Sequence, residues 1–378
     1  MGNMFWSRRP DTLTQKFMRV HWGVLLVASL IAVIGTATLY SVAGGSVTPW
    51  AERHAVRFLF GLGLVLTMAA VPLRIWIGLA YPAFATALVL LCLVPIVGVE
   101  TLGARRWLSL GPVGFQPSEL MKVALVVALA RYYHWLPSEH VSRPFWVLLP
   151  LLMIAVPVGL TLRQPDLGSA TLFACVGVGL MGLAGVHWGY AIAAAASIGL
   201  GAPLVWNGLH GYQRRRIEVF LDPEKDPLGA GYHITQSKIA LGSGGVSGRG
   251  YIQGTQSQLD FIPEKHTDFI FTIFAEEWGF AGAAILILLF ILLIGMVLRM
   301  AHGCRSVFGR LLIGGLALTL FAYAFVNMAM VTGLVPVVGV PLPLFSYGGT
   351  AMTTIMVALG LAMSAHVHGQ EPVRRPQY

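Results

Sequence analysis

The sequence predicts an all-α fold, a polytopic membrane protein with ten transmembrane helices and one large extracytoplasmic loop. Three observations carry this expectation. Of 378 residues, 56% are hydrophobic and only 11% charged, whereas a soluble domain carries about 25% charged residues. The few charges cut the chain into apolar stretches long enough to cross a bilayer, which takes about 20 helical residues. Two charge-free stretches, 167–213 and 311–370, are too long for one span each. The same balance excludes an ordinary cytosolic enzyme, a disordered chain and a nucleic-acid binder, in spite of a net charge of +9. Cys92, Cys175 and Cys304 are scattered and form neither a disulfide framework nor a metal-ligand cluster.

The first span, 21–42, follows Arg8, Arg9, Lys16 and Arg19. Its apolar run is too long for a signal-peptide core and has no convincing cleavage site, so it reads as a retained span. Further spans are expected at 56–73, 76–98, 116–133, 145–162 and 167–185. The chain reverses at Gly185-Val186-His187-Trp188-Gly189 into a seventh, 188–207. The eighth and ninth are expected at 269–298 and 309–332. Pro336, Pro341, Pro343 and Gly348-Gly349 remove backbone donors or loosen the chain before the tenth, 349–366.

An even count puts both termini on one side. With the N-terminus inside, the inner segments hold Arg8, Arg9, Lys16, Arg19, Arg74, Arg131, Arg143, Arg299, Arg305, Arg310, Arg374 and Arg375, against Arg53, Arg57, Arg105, Arg106 and Arg163 in the short outer segments. Positive charge favours the cytoplasmic side, so the tails 1–20 and 367–378 are expected there. The chain reads as a single membrane domain, 1–378.

The fourth span is anomalous. It crosses only if Glu119 and Lys122 belong to it, and their i, i+3 spacing places them on one helix face where they can pair. They form either an ion pair at the helix end or a polar patch facing a cavity.

Residues 208–268 hold 14 of the 41 charges and include the glycine-rich stretch 241–250. Long loops without obvious structure are often functional. The stretch lacks the Lys-Ser/Thr ending of a phosphate-binding P-loop and reads as flexible or close-packed backbone. Arg214, Arg215 and Arg216 suit either anionic lipid headgroups or a phosphate or diphosphate.

Asp268 ends the polar loop at the start of an apolar run. It is either a helix N-cap or, with Lys265 and His266 nearby, a general base for a hydroxyl on a membrane-bound substrate. Residues 268–298 would make a helix of about 46 Å, longer than the roughly 30 Å hydrocarbon core, so the outer end must protrude, tilt or break. His266 alone reads as a structural hydrogen-bonder, Trp107 as an interfacial anchor or a sugar-stacking ring, and Glu276-Glu277 as partners for the loop backbone.

Several strings then coincide. They are Arg106-Trp107-Leu108 leading to Gln116-Pro117-Ser118-Glu119-Leu120 and Lys122; Gln164-Pro165-Asp166-Leu167-Gly168-Ser169-Ala170; and Tyr212-Gln213 with the arginines. Gly231-Tyr232-His233-Ile234-Thr235-Gln236-Ser237 follows, then Pro263-Glu264-Lys265-His266-Thr267-Asp268-Phe269-Ile270-Phe271 and Pro343-Leu344-Phe345-Ser346-Tyr347-Gly348-Gly349. Together these resemble the SEDS family (shape, elongation, division, sporulation) of cell-wall polymerases, over essentially all of 15–368. Leu259-Asp260-Phe261 and the short N-terminal tail favour its elongation branch.

The resemblance implies a multi-pass protein of the bacterial inner (cytoplasmic) membrane. It implies a peptidoglycan glycosyltransferase that polymerises lipid II during cell elongation and shape maintenance, with undecaprenyl diphosphate as leaving group. Its implied partners are lipid II, the nascent glycan strand, a class B penicillin-binding protein that supplies transpeptidation, other elongation-complex proteins and membrane lipids. The family's essential acidic residue falls on Asp268, its outer-loop tryptophan on Trp107 and its polar pair in the fourth span on Glu119 and Lys122. Lys122, Arg106, Lys265 and Arg214–Arg216, with or without a divalent cation such as Mg or Mn, are the candidates to stabilise the diphosphate; no other cofactor is implied. A lipid II flippase is the main rival reading, and a scaffold for a synthase partner the third.

Overall fold

In a computed structural model of the chain, residues 12–101, 104–110, 113–201, 206, 211–222, 226, 229–255 and 264–371 are described. Arg8, Arg9, Arg374, Arg375, Pro263 and the Leu259-Asp260-Phe261 string lie outside them. Each expected span coincides with a helix. These are α2 (Trp22–Val42), α3 (Ala51–Ala70), α4 (Leu73–Val97), α5 (Pro117–Trp135), α6 (Pro144–Arg163), α7 (Leu167–Leu183) and α8 (Gly189–Leu200), then α11 (Ile270–His302), α12 (Val307–Val331) and α13 (Gly349–Val367). Seven of them are long and apolar enough to cross a membrane by length and composition. The other three are α5, which contains Glu119, Lys122 and Arg131, α7 with 17 residues and α8 with 12.

Local chemistry sets the helix ends. Asp166 caps α7 by accepting the Ser169 N–H at 3.0 Å, and Ser306 caps α12 through Gly309 at 3.1 Å. Pro117 and Pro144 occupy first-turn positions of α5 and α6, where a missing N–H costs nothing. Within the bundle α5, α12 and α13 are the most enclosed of these helices, while α4, which contains Pro82 and Pro95, presents most of its surface outward.

Three features add to the expected map. The segment before the fourth span is a three-stranded antiparallel sheet, β1 (Val99–Thr101), β2 (Ala104–Leu110) and β3 (Val113–Phe115), with Val99 opposite Trp107 and Leu108 opposite Phe115. Leu108-Ser109-Leu110 alternates as a strand does, and the strand geometry turns Arg106 and Trp107 to opposite faces. The large loop is not irregular: it contains α9 (Gly211–Leu221) and α10 (Ala230–Ser243). A short α1 (Leu13–Met18), closed by a Thr12–Gln15 capping box, also precedes the first span.

The overlong eighth span takes one of its expected outcomes: α11 breaks. Gly279 has φ 65° and ψ −165° inside it, a conformation that only glycine adopts readily. The glycine-rich stretch fills the break. Phe280 N–H bonds the Gly245 carbonyl at 2.9 Å, and Arg249 and Gly250 N–H bond the Glu276 and Glu277 carbonyls at 3.0 and 3.1 Å. The backbones approach so closely that a Cβ on Gly248 would sit 2.1 Å from the Glu277 carbonyl oxygen. The stretch is therefore close-packed. Gly279→Ala is expected to cost about 1–3 kcal/mol through strain at that φ/ψ, and the fall would be read from thermal unfolding in detergent.

Candidate functional site

Asp268 lies in a turn, residues 264–269, that delivers the chain into α11. It does not cap that helix: Phe269 occupies the N-cap position and no side chain supplies a cap bond. The Asp268 backbone is held instead by Asn327 of α12, whose Nδ2 donates to the Asp268 carbonyl at 2.9 Å and to the Val340 carbonyl at 2.7 Å. Gly339, with φ 75°, brings the following segment up to the carboxyl group, since a Cβ there would lie 3.4 Å from Asp268 Oδ2.

The carboxyl is pushed up to about 7, first by burial and then by the negative charge of Glu264, while Arg216 and Arg106 pull it down. Desolvation penalises the ionised form and nearby cations favour it. The residue as a whole is only half-buried, so its raised value coexists with access from one side. A carboxyl ionising near neutrality at the edge of a membrane bundle is suited to proton transfer.

The two arginines arrive from different elements. Arg216, on α9, donates to the Val337 carbonyl at 2.9 Å. Arg106, on β2, bonds the Gln164 carbonyl at 3.3 Å and the Pro165 carbonyl. Asp166 next to them accepts from Gln116 Nε2 at 3.2 Å and Ser118 Oγ at 3.4 Å. These bonds tie the sheet, the start of α5 and the α6–α7 turn into one end of the bundle. Trp107, half-buried on β2, has its ring across from Gly114 of β3.

One and two helical turns into α5, Glu119 and Lys122 form the ion pair that their spacing predicts, at 2.6 Å. Each is 5% exposed. A third member completes the group: Lys122 Nζ also donates to the Tyr323 hydroxyl at 2.6 Å, and that hydroxyl donates to the second Glu119 oxygen at 2.7 Å. The pair is thus a buried, hydrogen-bonded triad rather than an exposed helix-end contact.

The three consecutive arginines do not act as one patch. Helical geometry separates them by about 100° each. Arg214 bonds the Trp206 carbonyl at 2.8 Å, Arg215 pairs with Asp226 at 3.0 Å, and Arg216 alone is turned to the segment beside Asp268. Lys265 and His266 belong to the Asp268 turn. The His266 ring stacks on Trp50 with centroids 4.7 Å apart, and its carbonyl accepts the Tyr347 N–H at 2.9 Å. Burial pushes the His266 imidazole below its ordinary value, with Glu264 opposing.

Glu276 and Glu277 lie where α11 breaks, 0% and 2% exposed. Their side chains meet hydroxyls, Glu276 that of Thr255 at 3.1 Å and Glu277 that of Ser41; their carbonyls take the loop N–H groups already described. Away from all this, an open depression lined by Ser142, His187, Gly189, Tyr190 and Ala193 joins the α5–α6 and α7–α8 turns. It holds no acid or basic pair and lies at the other end of these helices.

Two residues at the site carry no motif in the sequence, Tyr323 and Asn327. One signal points to them: they stand four apart in an otherwise apolar span, hence on one helix face.

A family model described as "Cell cycle protein", FTSW_RODA_SPOVE, matches residues 15–371. The chain belongs to this FtsW/RodA/SpoVE family of membrane proteins, the SEDS family, and is most like RodA. The peptidoglycan glycosyltransferase MrdB of Escherichia coli K12 is 43% identical over 348 residues, 91% of this chain and 93% of that protein. The probable peptidoglycan glycosyltransferase FtsW of Trichlorobacter lovleyi is 34% identical, over 91% of this chain and 89% of its own length.

Among solved structures, one described as "structural coordination of polymerization and crosslinking by a peptidoglycan synthase complex" superposes with a TM-score of 0.81 at 34% identity, covering 93% of this chain and 99% of that one. The Thermus thermophilus rod shape determining protein RodA gives 0.71 at 30% identity, covering 93% and 98%. The chain is a multi-pass bacterial membrane protein.

Proposed function

We propose that Asp268 is the general base of this chain, a peptidoglycan glycosyltransferase of cell-wall synthesis, and that lipid II is the substrate. The carboxylate takes the proton from the 4-hydroxyl of the acceptor's N-acetylglucosamine. That oxygen forms a bond to the anomeric carbon of the donor's N-acetylmuramic acid, and undecaprenyl diphosphate leaves with the bonding pair. One displacement inverts the centre from α to β and needs one base. The observation that carries this reading is the half-buried Asp268 carboxyl, its peptide held by the Asn327 amide where the 264–269 turn meets the Gly339–Val340 segment. Burial raises this carboxyl to about 7, and arginines from two other elements act on it.

Arg106 and Arg216 face the charge that develops on the leaving diphosphate, where preorganised cations lower the barrier, and Lys265 on the Asp268 turn adds to this field. Trp107 offers a ring to the sugars, and the buried Glu119–Lys122–Tyr323 group lies on α5 and α12, with Tyr323 one turn from Asn327. Among the described residues no three His, Cys, Asp or Glu are grouped to hold a metal ion; a divalent cation, if used, enters on the diphosphate. In this reading the sheet-bearing end faces outward and both termini are cytoplasmic, which the distribution of arginines supports. A class B penicillin-binding protein crosslinks the strand that this chain extends.

The test is polymerisation of lipid II by the purified protein, with glycan chains resolved on gels, for the parent and for Asp268→Asn, together with lipid II binding. Lipid II translocation in proteoliposomes that survives the substitution, without any polymerisation by the parent, would favour the flippase. A second measurement probes the electrostatics. Arg216→Gln removes a cation that lowers the carboxyl's value, so the acid limb of the rate profile is expected to move to higher pH. An unmoved limb would separate Arg216 from the base.

A further inference from the structure

Asn327 is 0% exposed on α12, where a primary amide is costly unless its groups are bonded. Its donors are bonded, and neither partner belongs to α12. Nδ2 reaches the Asp268 carbonyl at 2.9 Å and the Val340 carbonyl at 2.7 Å. The amide therefore bridges two irregular segments that meet at the carboxyl group of Asp268: the turn 264–269 and the run through Gly339 and Val340. Asn327 Oδ1 has no partner among the described residues, so the donors are what the position gains. Other contacts hold the same turn, among them the Tyr347 N–H to the His266 carbonyl, the Trp50 ring on His266, the His233 ring near Phe269, and the Thr267 and Phe269 N–H groups on the Glu264 carbonyl. The Asn327 amide is the side chain that bonds the Asp268 carbonyl itself.

We propose that Asn327 is a positioning residue for glycosyl transfer: its side-chain amide fixes the backbone of Asp268 against the Val340 segment and so sets where the carboxylate meets the sugar hydroxyl. The inference rests on Asp268 being the base. Asn327 acts through Asp268 and the backbone, not on the sugar. Misplacing a catalytic group by about 1 Å costs on the order of 100-fold in rate, so the loss belongs in kcat and not in substrate binding.

Three variants of the full-length protein test this: Asn327→Leu, which keeps much of the volume and removes both donors, Asn327→Ser, which keeps one, and Asp268→Asn. Turnover per folded molecule and KM for lipid II are measured for each, with hydrogen exchange of the 264–269 amides as a readout independent of chemistry. Asn327→Leu is expected to lower kcat by about 10- to 100-fold with KM unchanged, and to speed exchange in 264–269 but not in α5. Asn327→Ser is expected to fall between it and the parent.

Parent-like kcat and exchange in Asn327→Leu, or a defect confined to KM, would overturn the inference. If the leucine variant does not fold, the serine variant decides by the same two readouts. Parent-like activity in Asp268→Asn would sink the base assignment and this inference with it. A dead Asp268→Asn beside an unimpaired Asn327→Leu would sink the positioning role alone.

Discussion

Asp268→Asn is expected to reduce lipid II polymerisation by about 10²–10⁴-fold, the contribution typical of a general base, while the protein still folds and still binds lipid II. The amide keeps the shape of the side chain and cannot accept the proton. Full retention of activity would remove Asp268 from the chemistry. The parent's pH profile makes a linked statement. A base works ionised, so the rate should climb as pH rises through about 7, where the carboxyl is held, and level off above it.

For stability the same shift has the opposite sign. Between the ordinary value of 3.8 and about 7 the folded state holds a proton that the unfolded state has lost. The Asp268 contribution therefore weakens as pH rises through that window, and Asp268→Asn should flatten it. An activity limb and a stability slope that both vanish in the variant would trace to one group.

Much of this molecule is legible in its amino-acid sequence. The seven long apolar helices follow from where charges are absent, because bilayer thickness converts hydropathy into element length. The Glu119–Lys122 pair follows from i, i+3 spacing, which is a local property. A break in α11 is one of three outcomes that an overlong apolar run leaves open. That it occurs at Gly279 depends on the glycine-rich stretch some 30 residues earlier packing into it, a tertiary event with no local trace.

The same limit applies at the site. Tyr323 completes a triad with residues about 200 positions away, and Asn327 is bonded to two backbone carbonyls that have no sequence signature at all. The three arginines illustrate the converse. Adjacent in sequence, they look like one cationic patch, and a helix turns them to three different partners.

The second large effect concerns the triad under the site. Lys122→Met is expected to destabilise the protein by about 3–5 kcal/mol, because removing one partner of a buried ion pair leaves an uncompensated charge. Glu119 would keep only the Tyr323 hydroxyl, at 5% exposure. The double substitution Glu119→Gln with Lys122→Met removes both charges and should recover most of that loss. Tyr323→Phe, which withdraws a single hydroxyl, should cost about 1–3 kcal/mol. Thermal unfolding in detergent reads all three.

The ordering discriminates between two roles. A purely structural triad predicts that stability falls in the single Lys122 variant, returns in the double, and that turnover per folded molecule is unchanged in both. If the ammonium also serves the diphosphate, the double variant is stable and inactive. Tyr323 and Asn327 share one face of α12 a single turn apart, which offers a route from the triad to the Asp268 peptide. Turnover should then fall modestly even in Tyr323→Phe, and an unaltered rate there would confine the triad to holding the bundle together.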